Sequence, residues 1–220
     1  NRWISNETAV LTVTANNQFR TYGAANPTFG QSITGYINGE TNSILLGSAG
    51  NGSSAATNTT NVGAAAINAS IGGLSTDFNY SINSAGGILT INPATLNITA
   101  GDQSKNYGIN LDLGTSGFTS IGLQNGETIS SVNLTSVGGY GSDTSANVGN
   151  YADDIIVSGA SGGTFNAGNY TITYNTGDFA IDSASLLITA DNQSKTYGAN
   201  LDLGTSSFTS IGLQNSETIS

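Results

Sequence analysis

The 220 residues carry 4 Lys and Arg against 14 Asp and Glu, a net charge of −10, and only 8% are charged where a globular chain has roughly 25%. With no His and no Cys, imidazole acid–base catalysis, Ser-His-Asp and Cys-His triads, CxxC redox chemistry and ordinary zinc sites are excluded. The acidic balance leaves no basic footprint for nucleic acid or an anionic membrane surface, and no stretch approaches the ~20 apolar residues of a membrane span.

Leu, Ile, Val and Phe make up about 22%, close to the ~20% below which a strongly charged chain stays disordered, so apolar patterning decides between fold and coil. Asn1-Arg2-Trp3 opens without Met or an apolar leader, as in a mature or excised piece, and residues 1–10 read as a lead-in or the end of a preceding unit. Leu11-Val13-Ala15 begins the period-two alternation of a half-buried strand. A Gly/Ala/Asn/Ser/Thr tract, Gly47–Ser70, is expected to be a long loop, and strands resume at Tyr80-Ile82 and Leu89-Ile91. The next strand, Leu96-Ile98-Ala100, passes through a polar turn to Tyr107-Gly108. Strands are then predicted over Phe118–Leu123 and Ile129–Val137, flanking the turn Gln124-Asn125-Gly126-Glu127-Thr128. After a Gly/Ser/Asp-rich connection, Tyr170–Tyr174 and Asp178–Ile181 form a closing hairpin around Asn175-Thr176-Gly177. Leu186-Ile188-Ala190 starts the pattern again. No amphipathic helical stretch interrupts this order.

The chain repeats itself. Ala9–Gly23 recurs as Ala94–Gly108 and as Ala184–Gly198, and its tyrosines, Tyr22, Tyr107 and Tyr197, set periods of 85 and 90 residues. Residues 96–130 and 186–220 match at 28 of 35 positions. The organisation is therefore a lead-in over 1–10, complete repeats at 11–95 and 96–185, and a partial third at 186–220. A unit of 85 to 90 residues can bury roughly 60–65% of its unfolded surface, enough for its own core. Only Asn92-Pro93 or Asp182-Ser183 joins one unit to the next, too short for a flexible tether. The expected fold is all-β: tandem small antiparallel domains forming an elongated, semi-rigid array. Each domain is sandwich-like or β-grasp-like, the latter needing a short helix that the sequence does not display.

The repeat's (Lys/Arg)-x-Tyr-Gly is followed by Gly-Leu-x-Asn-Gly-Glu-Thr, Val-Gly-x-Tyr and Gly-Asn-Tyr-x-Ile-x-Tyr-x-x-Gly. The carrying residues are Lys105, Tyr107, Gly108, Gly122, Leu123, Asn125 to Thr128, Val148, Gly149, Tyr151, and Gly168 to Tyr170 with Ile172, Tyr174 and Gly177. This pattern resembles the MBG/YDG-type repeats of filamentous-haemagglutinin-like bacterial exoproteins and surface adhesins. The resemblance implies an extracellular location, on a bacterial surface or secreted, and units that commonly serve as spacers. The first repeat departs from the pattern, with Tyr36-Ile37 for Gly-Leu and Val62-Gly63-Ala64-Ala65 where an aromatic falls.

The candidate site residues are the repeat signature itself. Arg20, Lys105 and Lys195 hold one repeat position, each followed in its unit by a Glu, which predicts the ion pairs Arg20–Glu40, Lys105–Glu127 and Lys195–Glu217. Tyr22, Tyr107 and Tyr197, beside Gly23, Gly108 and Gly198, read as packing residues whose hydroxyls bond backbone, or as a platform for sugar rings. Asp112, Asp143, Asp153, Asp154 and Asp202 form no Asp-x-Asp-x-Asp-Gly calcium loop and no glycosidase dyad set in an aromatic cleft. Sequons stand at Asn58, Asn97, Asn133 and Asn169, with Asn97 and Asn169 expected within strands. No cofactor and no enzymatic activity is expected. Three roles compete: a structural-adhesive stalk, a multivalent module for host or cell-surface glycans or proteins, and a filament self-assembling by strand addition at exposed edges.

Overall fold

The structure, a computed structural model, describes residues 8–219, so residues 1–7 of the expected lead-in over 1–10 lie outside the described residues. Strands account for 43% of the chain. The helical elements among the described residues are two three-residue 3-10 turns, Asn42–Ile44 and Ala167–Asn169, so the all-β class holds and the β-grasp alternative lacks its helix. No helix among the described residues is long and apolar enough to cross a membrane. Two compact units are present. Unit 1 gathers the chain through Leu96 with Gly122–Thr128 and Thr164–Ile172; unit 2 gathers Asn97–Ile121, Ile129–Gly163 and the chain from Thr173 onwards.

Unit 1 holds β1 (Ala9–Ala15), β2 (Gln18–Thr21), β3 (Gln31–Thr34), β4 (Leu45–Leu46), β5 (Gly63–Ile67), β6 (Ser75–Thr76), β7 (Tyr80–Ala85) and β8 (Gly87–Asn92). They form the sheets β3-β1-β7 and β2-β8-β5, with the short ribbon β4-β6. Alternation turns Leu11 and Val13 of β1, Ile67 of β5, and Leu89 and Ile91 of β8 inward, and all are at most 2% exposed. Each such aliphatic side chain contributes roughly 1.5–3 kcal/mol by leaving water. The expected long loop Gly47–Ser70 is corrected here. It contains β5, which pairs antiparallel with β8, and an isolated bridge from Ser53 to Asn68. The alanines of β5 hid it, being small enough to read as loop.

Pairing is mixed, which corrects the purely antiparallel expectation. β1 and β7 are parallel from Ala9↔Tyr80 to Thr14↔Ala85, and β2 and β8 are parallel from Gln18↔Leu89 to Thr21↔Asn92. The reason is local. β1 leads into β2 through Asn16-Asn17 and β7 into β8 through Gly86, and both connections step from one sheet to the other. Because β3 and β5 run against β1 and β8, the closing segment returns in the opening segment's direction. The predicted closing hairpin is likewise corrected: the segments pair into different sheets, not with each other. In unit 2, a side chain on Gly177 would stand 2.8 Å from the Ala100 carbonyl oxygen, so only glycine lets the chain cross there.

Unit 2 takes up β9 (Ala94–Ala100) from Asn97 on, and holds β10 (Gln103–Asn106), β11 (Phe118–Ile121), β12 (Ser131–Ser136) and β13 (Gly149–Ser161). It continues with β14 (Tyr170–Asn175) from Thr173 on, β15 (Gly177–Asp182), β16 (Leu187–Ala190) and β17 (Phe208–Ile211). The main sheet is β10-β15-β13-β12, with β10 parallel to β15; β11-β9-β14 and β16-β17 are the others. The Gly/Ser/Asp-rich connection is corrected to β13, the longest strand at 13 residues. A bulge at Asp153, whose φ is 56°, breaks its alternation and then aims Ile155 and Val157 into the core beside Phe179, Ile181 and Val132. The buried Asp154 carboxylate accepts from Gly138 N–H at 2.7 Å and from the Ser136 hydroxyl. The predicted polar turn before Tyr107, too, contains a short strand, β10, which carries Lys105 as β2 carries Arg20.

Candidate functional site

Two local shapes recur. The first is a corner at the end of β2, β10 and the corresponding stretch of the third repeat. There Ala24 N–H donates to Thr21 O, Ile109 N–H to Asn106 O, and Ala199 N–H to Thr196 O, each at 3.1 Å. The glycine inside each corner, Gly23, Gly108 or Gly198, has φ of 83°, 87° or 79°, a left-handed conformation that a side chain disfavours. The second shape is a loop. Asn38, Asn125 and Asn215 take φ of 54°, 54° and 48°, and the following Gly39, Gly126 and Ser216 take 77°, 72° and 64°. The loop closes by Glu40 N–H to Ile37 O at 3.0 Å, Glu127 N–H to Gln124 O at 2.9 Å and Glu217 N–H to Gln214 O at 2.8 Å, which corrects the sequence alignment: Gly35-Tyr36, not Tyr36-Ile37, stands at the Gly-Leu position, and Ile37 at that of Gln124. Asparagine tolerates this backbone better than most residues.

A tyrosine on the strand behind braces the loop. The Tyr80 hydroxyl accepts from Ile37 N–H and donates to Glu40, and the Tyr170 hydroxyl accepts from Gln124 N–H and donates to Glu127, both amide bonds at 2.9 Å. All of these contacts lie within unit 1.

Corner and loop meet twice. In unit 1 the Tyr22 hydroxyl donates to Glu127 Oε1 at 2.6 Å, and its ring meets Tyr170 edge to face at 5.6 Å. Gly23 lies under the Gln124 side chain, leaving no room for a Cβ. The Asn58 carbonyl gathers Gly23 N–H at 3.2 Å and Asn125 Nδ2 at 3.4 Å. In unit 2 the arrangement returns: Tyr107 hydroxyl to Glu217 Oε1 at 2.7 Å, Gly108 under Gln214, and the Thr144 carbonyl taking Gly108 N–H at 3.1 Å and Asn215 Nδ2 at 2.9 Å. Burial, reinforced by the hydrogen bond to Glu127, pushes the Tyr170 phenol up to about 12 and raises Tyr22 as well. The glutamate thus acts as a fixed acceptor for neutral phenols.

Tyr22 and Tyr107 therefore bond carboxylate, not backbone, and Tyr22 at 4% exposure offers no face to a sugar, while Tyr197 stands fully exposed. The predicted ion pairs are also corrected. Arg20 is buried and donates to Asn26 Oδ1 at 2.9 Å and to the Thr21 and Thr57 carbonyls. Lys105 is equally buried and donates to the carbonyls of Tyr140, Gly141 and Asp143. The physical reason is that a loop crossing a strand end leaves carbonyls pointing inward, and a long cation satisfies several at once. Glu40, Glu127 and Glu217 are taken by tyrosines, and Lys195 is exposed.

Among the described residues, no group of three or more Asp or Glu side chains is arranged to hold a metal. Asn169 ends the 3-10 turn before β14 instead of sitting in a strand, is 2% exposed, and bonds Asn61 and the Val62 N–H, so its sequon is closed to modification in the folded state. Asn58 is exposed in a turn. Sequence reasoning missed Gln124, Gln214 and the bracing tyrosines. The signal was present in the repeated Gly-Leu-Gln-Asn-x-Glu-Thr, which reads as a turn until its partner is known.

No curated protein and no solved structure matches the chain. The family model of the MBG domain (YGX type) matches residues 11–90 and 96–180, well over half of the chain and in two tandem copies, and its Tyr-Gly corner is the element that the geometry singles out. The chain belongs to the MBG domain (YGX type) family.

Proposed function

We propose that the chain is a tandem-repeat segment of a large bacterial surface or secreted adhesin of the filamentous-haemagglutinin-like kind, acting as a semi-rigid extracellular stalk that holds a binding region away from the cell. Its work is mechanical, without catalysis or cofactor. The observation that carries this reading is the corner-and-loop contact, made twice with the same residues and nearly the same distances, at sequence separations of 105 and 110 residues. A contact that recurs with the repeat serves copy number, whereas a ligand site would be marked by a feature peculiar to one copy.

Small-angle X-ray scattering tests the proposal. The native chain should give a distance distribution of a stiff particle, and a Tyr22→Phe, Glu127→Gln variant should give a broader one. A native chain scattering as freely jointed beads would overturn it.

A further inference from the structure

With no Cys and no Met, the sequence holds no disulfide, and an oxidant meets nothing softer than its phenols and a single indole. Two of those phenols lie in ring contact away from the corner and loop. Tyr140, in the turn that follows β12, and Tyr151, on β13, stack with ring centres 3.9 Å apart and planes tilted by 31°. Both belong to unit 2, and both are half-buried, so solvent reaches the pair. The stack is fixed from both sides. Tyr140 N–H donates to the Ser136 hydroxyl at 2.9 Å, and the Tyr140 carbonyl accepts from Lys105. A side chain on Gly138 would stand 2.3 Å from the Tyr140 ring, so glycine makes the seat. Tyr151 faces the fully buried Phe179 across the sheet, and its hydroxyl donates to Asn147 O at 2.7 Å. The other tyrosine rings in contact among the described residues, Tyr22 and Tyr170, meet edge to face at 5.6 Å and are both buried.

We propose that Tyr140 and Tyr151 are an oxidative cross-linking site, joined ring to ring as dityrosine by a haem peroxidase acting with hydrogen peroxide. Each phenol gives up one electron and one proton, and the peroxide takes up both pairs to become two waters. The unpaired spin of each phenoxyl spreads to its ortho carbons. A carbon–carbon bond forms between one ortho carbon of each ring, and the hydrogen on each of those carbons shifts to its own phenol oxygen. The torsion between Cβ and ring is soft in tyrosine, so the stacked rings can turn edge to edge as the bond forms. The staple closes the segment 140–151, whose carbonyls at Tyr140, Gly141 and Asp143 hold Lys105, and it constrains the unfolded chain as a disulfide does. The inference does not depend on the stalk reading.

Treatment of the whole chain with a haem peroxidase and hydrogen peroxide, dilute enough to favour coupling within one copy, tests it. Chains recovered at single-copy mass under denaturing conditions should show dityrosine fluorescence and weigh two hydrogens less. Cleavage before aspartate separates residues 112–142 from 143–152, each with a single tyrosine, and these two peptides should stay joined. Tyr140→Phe and Tyr151→Phe should each abolish the joined product. Yields are scaled to free tyrosine coupled in a parallel reaction. Peptides 112–142 and 143–152 that come apart while free tyrosine couples would overturn the proposal. So would an equal scaled yield from the chain unfolded in urea, where nearness in sequence remains and the stack does not.

Discussion

Replacing Glu127 tests whether the carboxylate joins corner to loop. It accepts from two phenols, Tyr22 at 2.6 Å and Tyr170, in a half-buried setting. A hydrogen bond to a charged group contributes about 1.5–3 kcal/mol net, and partial exposure places these at the lower end. Tyr22→Phe should therefore cost about 1.5 kcal/mol, and Glu127→Ala about 3 kcal/mol because both hydroxyls lose their acceptor. If Tyr22 acts through Glu127, adding Tyr22→Phe to Glu127→Ala costs little more, leaving a coupling of about 1.5 kcal/mol. Glu127→Gln keeps an acceptor oxygen and should fall between the native chain and Glu127→Ala. Equilibrium urea unfolding of the five chains measures this, through midpoint shifts at constant slope. Single costs that add to within about 0.5 kcal/mol would refute the shared carboxylate.

Three further outcomes follow from the same geometry. Tyr170 is held neutral with its phenol raised from 10.0 to about 12, so its contribution is complete below pH 10 and fades as pH rises from 10 to 12. A tyrosinate absorbance titration should show a late component in that window that Tyr170→Phe removes. Gly177→Ala pushes a methyl against the Ala100 carbonyl at 2.8 Å and should cost about 1–3 kcal/mol, whereas Gly73→Ala, with open space and an ordinary φ, should be neutral or slightly stabilising in the same denaturation assay. Lys105→Met strips the Tyr140, Gly141 and Asp143 carbonyls of their donor and should cost about 2–4 kcal/mol by thermal unfolding. Lys195→Met, at an exposed position, should stay within about 0.5 kcal/mol.

The alternation of Leu11-Val13-Ala15, Leu89-Ile91 and Phe179-Ile181 was legible because those strands bury one face and wet the other. Strand β13 was not, since the bulge at Asp153 breaks its alternation and its ends are glycine and serine. The sheet of each strand was also hidden: Asn175-Thr176-Gly177 suits a hairpin, and what makes it a crossing is the Ala100 carbonyl, far away in sequence. At the site, the repeat singled out Tyr22, Gly23, Lys105, Glu127 and Glu217, and the structure pairs them otherwise than charge suggests. Charge complementarity points lysine to glutamate, whereas a buried ammonium prefers several carbonyls at once and a carboxylate can be filled by phenols.

The parallel pairing in unit 1 carries a consequence for behaviour under tension. Force entering at Ala9 and leaving at Asn92 pulls β1 backward and β8 forward. Six residue pairs of β1 with β7 and four of β2 with β8 are then loaded side by side in shear. An antiparallel hairpin pulled from its open end unzips one rung after another. Here the rungs must yield together, so the clamp that resists extension sits where the repeat begins and ends, and its strength is set by ladder length.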